Sequence, residues 1–437
     1  MHSASMLLSA GHGACKHAPP TRIHAEGPRA VVLIGPPKTG STHIQHFLTA
    51  NRQQLAERGW QWPRGVDGAP AGPKSFANLA GALANRTCQS GFATYAPRLL
   101  DAILGLCHGR STERSVYSAS PERVLAWYRA EFRRIANNPS APNLVLSAED
   151  LAYFDGHDAT AVRVRSTLRR DLLAPFHTVH MVMVYRQPRV TALYSVFGED
   201  VDVADTFDFR SSEGVRAAFE ARRPFSAWLQ RVLDNGDMLH KPPWSASLNI
   251  GQLADAYTSS GFRAIVINSA GAARDGLDVS DVVACEVLAL GCQCGRARWS
   301  TYRSTRTGET HYHAVTYRLR TLIPQLMVAS GCQPRTRPAS AAATRADVDQ
   351  LMQDGAALRC TNLSAAEELF DAFDAGFVQR YRERTLHWLD GRDHPPSLRT
   401  YCELDLDDDA TWLALRQMIE RKRPQFACLP APGGGGR

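Results

Sequence analysis

No stretch of this sequence approaches the roughly 18–20 consecutive apolar residues that a membrane-spanning helix requires, so a chain without a membrane span is expected. The first 29 residues offer only Met6-Leu7-Leu8 as an apolar run. That is short of the ~7–15-residue core of a signal peptide, and 1–29 read as a disordered or processed leader. Cysteine lacks a framework. The ten residues at 15, 88, 107, 285, 292, 294, 332, 360, 402 and 428 are scattered, with Cys292-Gln293-Cys294 the one close pair. A C-x-C without a second pair or nearby histidines is poor evidence for zinc, and no metal site is expected. Scattered thiols in a long chain fit a reduced state, although an even count leaves disulfides open. With no span, the expected location is soluble and cytoplasmic.

Charge of one sign is lacking as well. Fifty Lys and Arg against 43 Asp and Glu leave a net +7 over 437 residues. That is compatible with an anionic ligand but too diffuse for a nucleic-acid partner. No internal repeat is visible. What is present is an apolar fraction of 44%, enough for a large core. The length fits two or three average domains, or one large α/β domain with insertions.

Short continuous apolar runs alternate with helical patterns. The runs at 30–34, 143–147, 180–185 and 262–267 read as buried strands. Helices are expected over 42–58, 96–107, 121–138, 159–173, 189–197, 213–234 and 248–259, and from 278 onward only helices and loops. Strands separated by helices imply βαβ units and a parallel sheet covered on both faces. The expected organisation is an α/β domain over 30–300 with a helical insertion at 60–140, a helical C-terminal region over 301–428, and a flexible tail at 429–437. Arg163, Arg165, Arg169 and Arg170 fall around one helix and are expected on a solvated face. His311-Tyr312-His313 alternates within a tyrosine-containing stretch and points only weakly to a metal.

Directly after the first strand comes Gly35-Pro36-Pro37-Lys38-Thr39-Gly40-Ser41-Thr42. The two glycines keep the spacing of a nucleotide-triphosphatase phosphate loop, G-x-x-x-x-G-K-[ST], but Ser41 stands where that lysine belongs and Lys38 lies three residues earlier. Glycines let an oxyanion approach the backbone. Amides from Lys38 to Thr42 would form a concave nest running into a helix N-terminus. Lys38 adds a mobile charge, Ser41 and Thr42 hydroxyl donors. A magnesium-dependent triphosphate site would want a carboxylate at a neighbouring strand end. Here the third strand ends in Tyr185-Arg186, and a cation there suggests a second anionic group.

From Pro37 to Gln45 the loop resembles the P-K-T-G-S/T-T-x-[LI]-Q loop of sulfotransferases that use 3′-phosphoadenosine 5′-phosphosulfate (PAPS). The resemblance spans roughly 30–270 and implies an α/β three-layer fold of the P-loop type, with PAPS as co-substrate. It further implies that Pro37, Lys38, Thr39, Gly40, Ser41 and Thr42 grip the 5′-phosphosulfate. Arg186 and Ser195 resemble the family's 3′-phosphate element, although the family's pair usually sits one residue closer. On a helix one extra residue turns the serine by about 100°. Ser147-Ala148-Glu149 resembles the S-x-E strand ending of bacterial-type members, with Glu149 as base for the acceptor hydroxyl. His43 is the next candidate. The acceptor expected is a small molecule or glycan. A surface ion pair for Arg186, a plain helix hydroxyl for Ser195 and a helix cap for Glu149 are the ordinary alternatives. At the level of function, a nucleotide kinase or NTPase with an altered loop, and a catalytically silent scaffold, also stay open.

Overall fold

Val31, Val32, Leu33 and Ile34 present no polar face to water, and neither does the run from Met181 to Tyr185; all nine side chains are buried. Two-sided burial is the environment of inner parallel strands. In a computed structural model of the chain, the described residues are 27–35, 41–66, 68, 77–85, 121–185, 229, 249–290, 315, 319, 323, 332–334, 345–387, 400–405, 408–422, 424 and 426–428. Among them the runs become β1 (Arg29–Ile34), β3 (Asn143–Ser147), β4 (Thr178–Tyr185) and β5 (Arg263–Asn268), each within about two residues of expectation. Two very short strands, β2 (Trp60–Gln61) and β8 (Thr385–Leu386), complete a six-stranded sheet. Its order is β2-β3-β1-β4-β5-β8 and every pairing is parallel. The chain moves from β1 toward one edge for β2 and β3, then crosses to the other side for β4, β5 and β8. Its direction therefore reverses at β1.

Helices cover the sheet: α1 (Ser41–Ala50), α2 (Arg52–Glu57), α3 (Ala77–Asn85), α4 (Pro121–Ala136), α5 (Ala159–Thr167), α6 (Ile250–Ser259), α7 (Ser269–Arg274) and α8 (Val279–Val282). The last turns of α5 and α8 run on as π turns, Leu168–Leu172 and Val283–Val287. The expected α/β architecture with a central parallel sheet is thus the one observed. The single helix expected over 42–58 is broken at Asn51, which is buried and donates its side-chain amide to Phe47 O at 2.8 Å. The helices expected at 96–107 and 189–197, and most of 213–234, lie outside the described residues.

After 278 the structure departs from a purely helical region. Besides α9 (Arg345–Gln353), α10 (Ser364–Tyr381) and α11 (Asp409–Lys422), there are strands β6 (Cys332–Pro334), β7 (Leu358–Asn362), β9 (Thr400–Leu404) and β10 (Phe426–Cys428). β7 pairs antiparallel with β9, and β6 with β10. The sequence hides them because they are short and lack an apolar run; Leu-Arg-Cys-Thr-Asn of β7 is largely exposed. Cys360 and Cys402 face each other in the β7–β9 register and are joined by a disulfide, so this pair is oxidised. The boundary expected at 300 does not close the sheet either, because β8 comes from 385–386. Helix α10 also docks on α6: Tyr381 donates to Asp255 Oδ1 at 2.6 Å and Arg380 to Oδ2 at 3.1 Å.

Helix α4 is tied down by an ionic anchor. Glu131 is 4% exposed. It accepts from Arg134 Nε at 2.7 Å and Nη2 at 2.9 Å, and from Arg64 Nη2 at 3.1 Å and the Arg64 backbone at 3.2 Å. Burial alone would raise its pKa. The hydrogen bonds from Arg134 and Arg64 outweigh that and hold it at about 2, against an ordinary 4.5. A depressed carboxylate pKa contributes stability that is present above the unfolded value and lost as pH falls through the folded one. The wild-type unfolding free energy should therefore decline between pH 4.5 and about 2. Denaturant titrations of Glu131→Gln should show lower stability at neutral pH and a flatter slope over that interval.

Candidate functional site

The strands carrying the sequence motifs are neighbours. β1 lies between β3 and β4, with Leu33 opposite Ser147 and Ile34 opposite Met183. Gly35, the Ser147–Glu149 segment and Tyr185 consequently emerge at one carboxyl edge, beside the reversal point where doubly wound sheets hold ligands. Gly35 is buried. Pro37, Lys38, Thr39 and Gly40 lie outside the described residues, as do Arg186 and Ser195. Ser41 and Thr42 are the first two residues of α1. Arg186 directly follows Tyr185, the last residue of β4. Glu149 is half-buried and opens a 3₁₀ turn, Glu149–Tyr153, at the end of β3. Cys292, Cys294, His311 and His313 also fall outside the described residues.

Cross-links between elements hold this edge together, and spacing alone did not reveal them. The Ala148 amide donates to Leu33 O at 2.9 Å, extending the β1–β3 ladder past Ser147. Gln45, last of the loop motif, reaches the buried Ser147 hydroxyl at 3.5 Å. Ser269 Oγ donates to Tyr185 O at 3.0 Å, joining the start of α7 to the end of β4. His43 Nε2 lies 2.7 Å from Asp278 Oδ1. Asp278 caps α8 in a capping box with Asp281, a spacing visible in the sequence. Burial would raise the Asp278 pKa, but hydrogen bonds with His43 and Ser280 prevail and lower it. His43 is thereby engaged in a strut between α1 and α8.

Arg165 corrects an expectation. Arg163 and Arg170 are exposed, but Arg165 is 1% exposed and does not belong to a solvated face. Its guanidinium donates to Phe154 O, to Gly156 O at 2.8 Å and to Ser260 Oγ at 3.1 Å. It also lies over the Tyr257 ring at 5.9 Å. Tyr257 in turn donates its hydroxyl to Leu151 O at 2.6 Å, and burial pushes that phenol above its ordinary value. The two side chains thus grip the turn that begins at Glu149 and fix where the carboxylate leaves the sheet.

Comparison with protein-family models, with curated proteins and with solved structures finds no match for this chain. The site therefore rests on its own chemistry: Gly35 after β1 with α1 starting at Ser41, a carboxylate in the turn after the adjacent β3, and, next in sequence after β4, an arginine.

Arg165→Met keeps the stem but strips the donors from two carbonyls and a hydroxyl. The unfolding free energy should fall by at least about 1.5–3 kcal/mol, the scale of one hydrogen bond to a charged group. Chemical denaturation compared with Arg163→Met, which should be near neutral, measures it.

Proposed function

We propose that this chain is a sulfotransferase, moving the sulfuryl group of PAPS to a hydroxyl on a carbohydrate or another polar metabolite, in a fold of the P-loop type. The observation that carries this is convergence. Gly35, Glu149 and Tyr185, which border the three motifs or belong to them and are far apart in sequence, lie at one edge of three adjacent strands, β1, β3 and β4. The loop of Pro37, Lys38, Thr39, Gly40, Ser41 and Thr42 would hold the 5′-phosphosulfate. Arg186, with Ser195, would hold the 3′-phosphate. A strand order with the loop-bearing strand between β3 and β4 suits the P-loop type.

In the reaction the acceptor oxygen attacks sulfur in line. The bond from sulfur to the bridging phosphate oxygen breaks, and adenosine 3′,5′-bisphosphate leaves with the electron pair. Glu149 takes the acceptor proton. Lys38 and the loop amides stabilise charge growing on the departing phosphate. Binding of adenosine 3′,5′-bisphosphate without magnesium would support this reading over a nucleotide kinase, and turnover with PAPS would separate an enzyme from a scaffold.

Among the described residues no helix is long and apolar enough to cross a membrane. The Cys360–Cys402 disulfide favours an oxidising compartment over the cytoplasmic location expected, since cytosolic thiols are kept reduced.

Lys38→Ala should lower turnover roughly 10²–10³-fold, the loss typical of one group aimed at transition-state charge. It should weaken bisphosphate binding far less. Labelled-PAPS turnover beside bisphosphate calorimetry tests this, and unchanged turnover removes Lys38 from the mechanism. Glu149→Gln should keep affinity for PAPS while lowering turnover by about 10²–10⁴-fold. The acidic limb of the pH–rate profile should vanish with it. A fully active Glu149→Gln enzyme assigns the base elsewhere.

A further inference from the structure

His387 closes β8 with a φ of 56°, a left-handed backbone uncommon outside glycine. Its side chain is 9% exposed, and each ring nitrogen meets a carboxylate. Nδ1 lies 2.7 Å from Asp275 Oδ2 and Nε2 lies 2.7 Å from Glu286 Oε1. A neutral imidazole carries one N–H and satisfies one such acceptor; only the imidazolium donates to both. The backbone is pressed in as well. A Cβ on Gly271 of α7 would stand 1.7 Å from His387 O, so only glycine lets that helix come so close.

Among the described residues this edge strand is further held by Thr385, which donates to Tyr381 O at 2.8 Å, and by Leu386, which packs on the main core. β8 has two residues, both half-buried, paired as Thr385 with Val266 and Leu386 with Ile267. Among the described residues, the charged groups packed around the imidazole come from three segments. From the end of α7 come Asp275 and its partner Arg274, whose Nε donates at 3.0 Å. From the π turn after α8 comes Glu286, next to Cys285, while Asp278 and Asp281 are engaged in the capping box. The segment of His387 itself adds Glu383 and Arg384, both exposed.

We propose that His387, Asp275 and Glu286 form a pH-sensitive latch that holds β8 on the sheet while the imidazole is charged and frees it when the proton is lost. The latch rests on the fold alone and stands whether or not the chain is a sulfotransferase. The Glu286 hydrogen bond is the largest influence on His387 and raises its pKa above 6.5; burial opposes it, and the Asp275 hydrogen bond adds to it. A raised folded pKa contributes stability that is complete below the unfolded value and is lost as pH rises through the folded one. Burial would raise the Asp275 pKa, but hydrogen bonds from His387 and Arg274 hold it below 3.8, so the Asp275 half of the latch persists to below that pH. On the basic side the latch opens above pH 6.5.

The test is amide hydrogen exchange on the full chain across pH, corrected for intrinsic rates. Amides of 385–387 and of the facing 266–268 should be protected at mildly acidic pH. Above pH 6.5 their opening should rise by up to about tenfold per pH unit until the folded pKa is reached. Asp275→Asn should move that rise to lower pH, and His387→Gln should leave the edge open and flat with pH. A merely structural contact predicts no movement of the midpoint in Asp275→Asn. A flat wild-type profile, or an unmoved midpoint, overturns the latch. Should His387→Gln fail to fold, Asp275→Asn still decides, since it keeps the imidazole and the backbone contact.

Discussion

β1 can bury both faces only while β3 and β4 satisfy its backbone from either side. That pairing brings together residues more than a hundred positions apart. Slipping β1 by one residue against β3 would turn every second side chain to the wrong face and take Ser147 away from Leu33 and Gln45. The register is held because β1, β3 and β4 are almost entirely buried, leaving no polar face to trade for another. The carboxyl edge, Gly35 at the end of β1 and the turn beginning at Glu149 all inherit their positions from it.

How much of this was legible in the sequence depends on how local the physics is. The inner strands were legible because a continuous Val/Leu/Ile/Met run has few other homes. The start of α1 at Ser41 was legible to within one residue, while residues 37–40 lie outside the described residues. β2 and β8 were not, since two residues carry no periodicity. β7 and β9 were missed because β7 is largely exposed and the buried Cys402-Glu403-Leu404 of β9 is short and interrupted by a glutamate, so neither shows an apolar pattern. The arginine helix shows the limit most clearly. Four arginines within eight residues look equally solvated in sequence. Which one turns inward is set by the carbonyls of Phe154 and Gly156, which no spacing within the helix encodes.

The cross-element contacts share that origin. His43 meets Asp278 across 235 residues, and His387 meets Asp275 and Glu286 across 112 and 101. In each case a charged or polar group stands at an element terminus, where backbone geometry rather than apolar patterning decides direction. Three short devices at one side of the sheet therefore govern how α7 and α8 sit: the capping box of Asp278, the strut to His43 and the glycine contact at Gly271.

The disulfide between Cys360 and Cys402 closes a covalent ring spanning a sequence separation of 42. Its ends belong to the β7–β9 pair, whose Leu358 and Leu404 join the smaller apolar cluster of the C-terminal region. Its interior carries α10 and β8, whose Phe377, Tyr381 and Leu386 join the main core. A ring threaded through two cores makes them mechanical partners: neither can melt without shortening the slack available to the other. Closing such a loop removes roughly 4 kcal/mol of chain entropy from the unfolded state. One sulfur–sulfur bond thus limits how far the unfolded chain between the two clusters can spread, and a reducing environment would return that freedom to it.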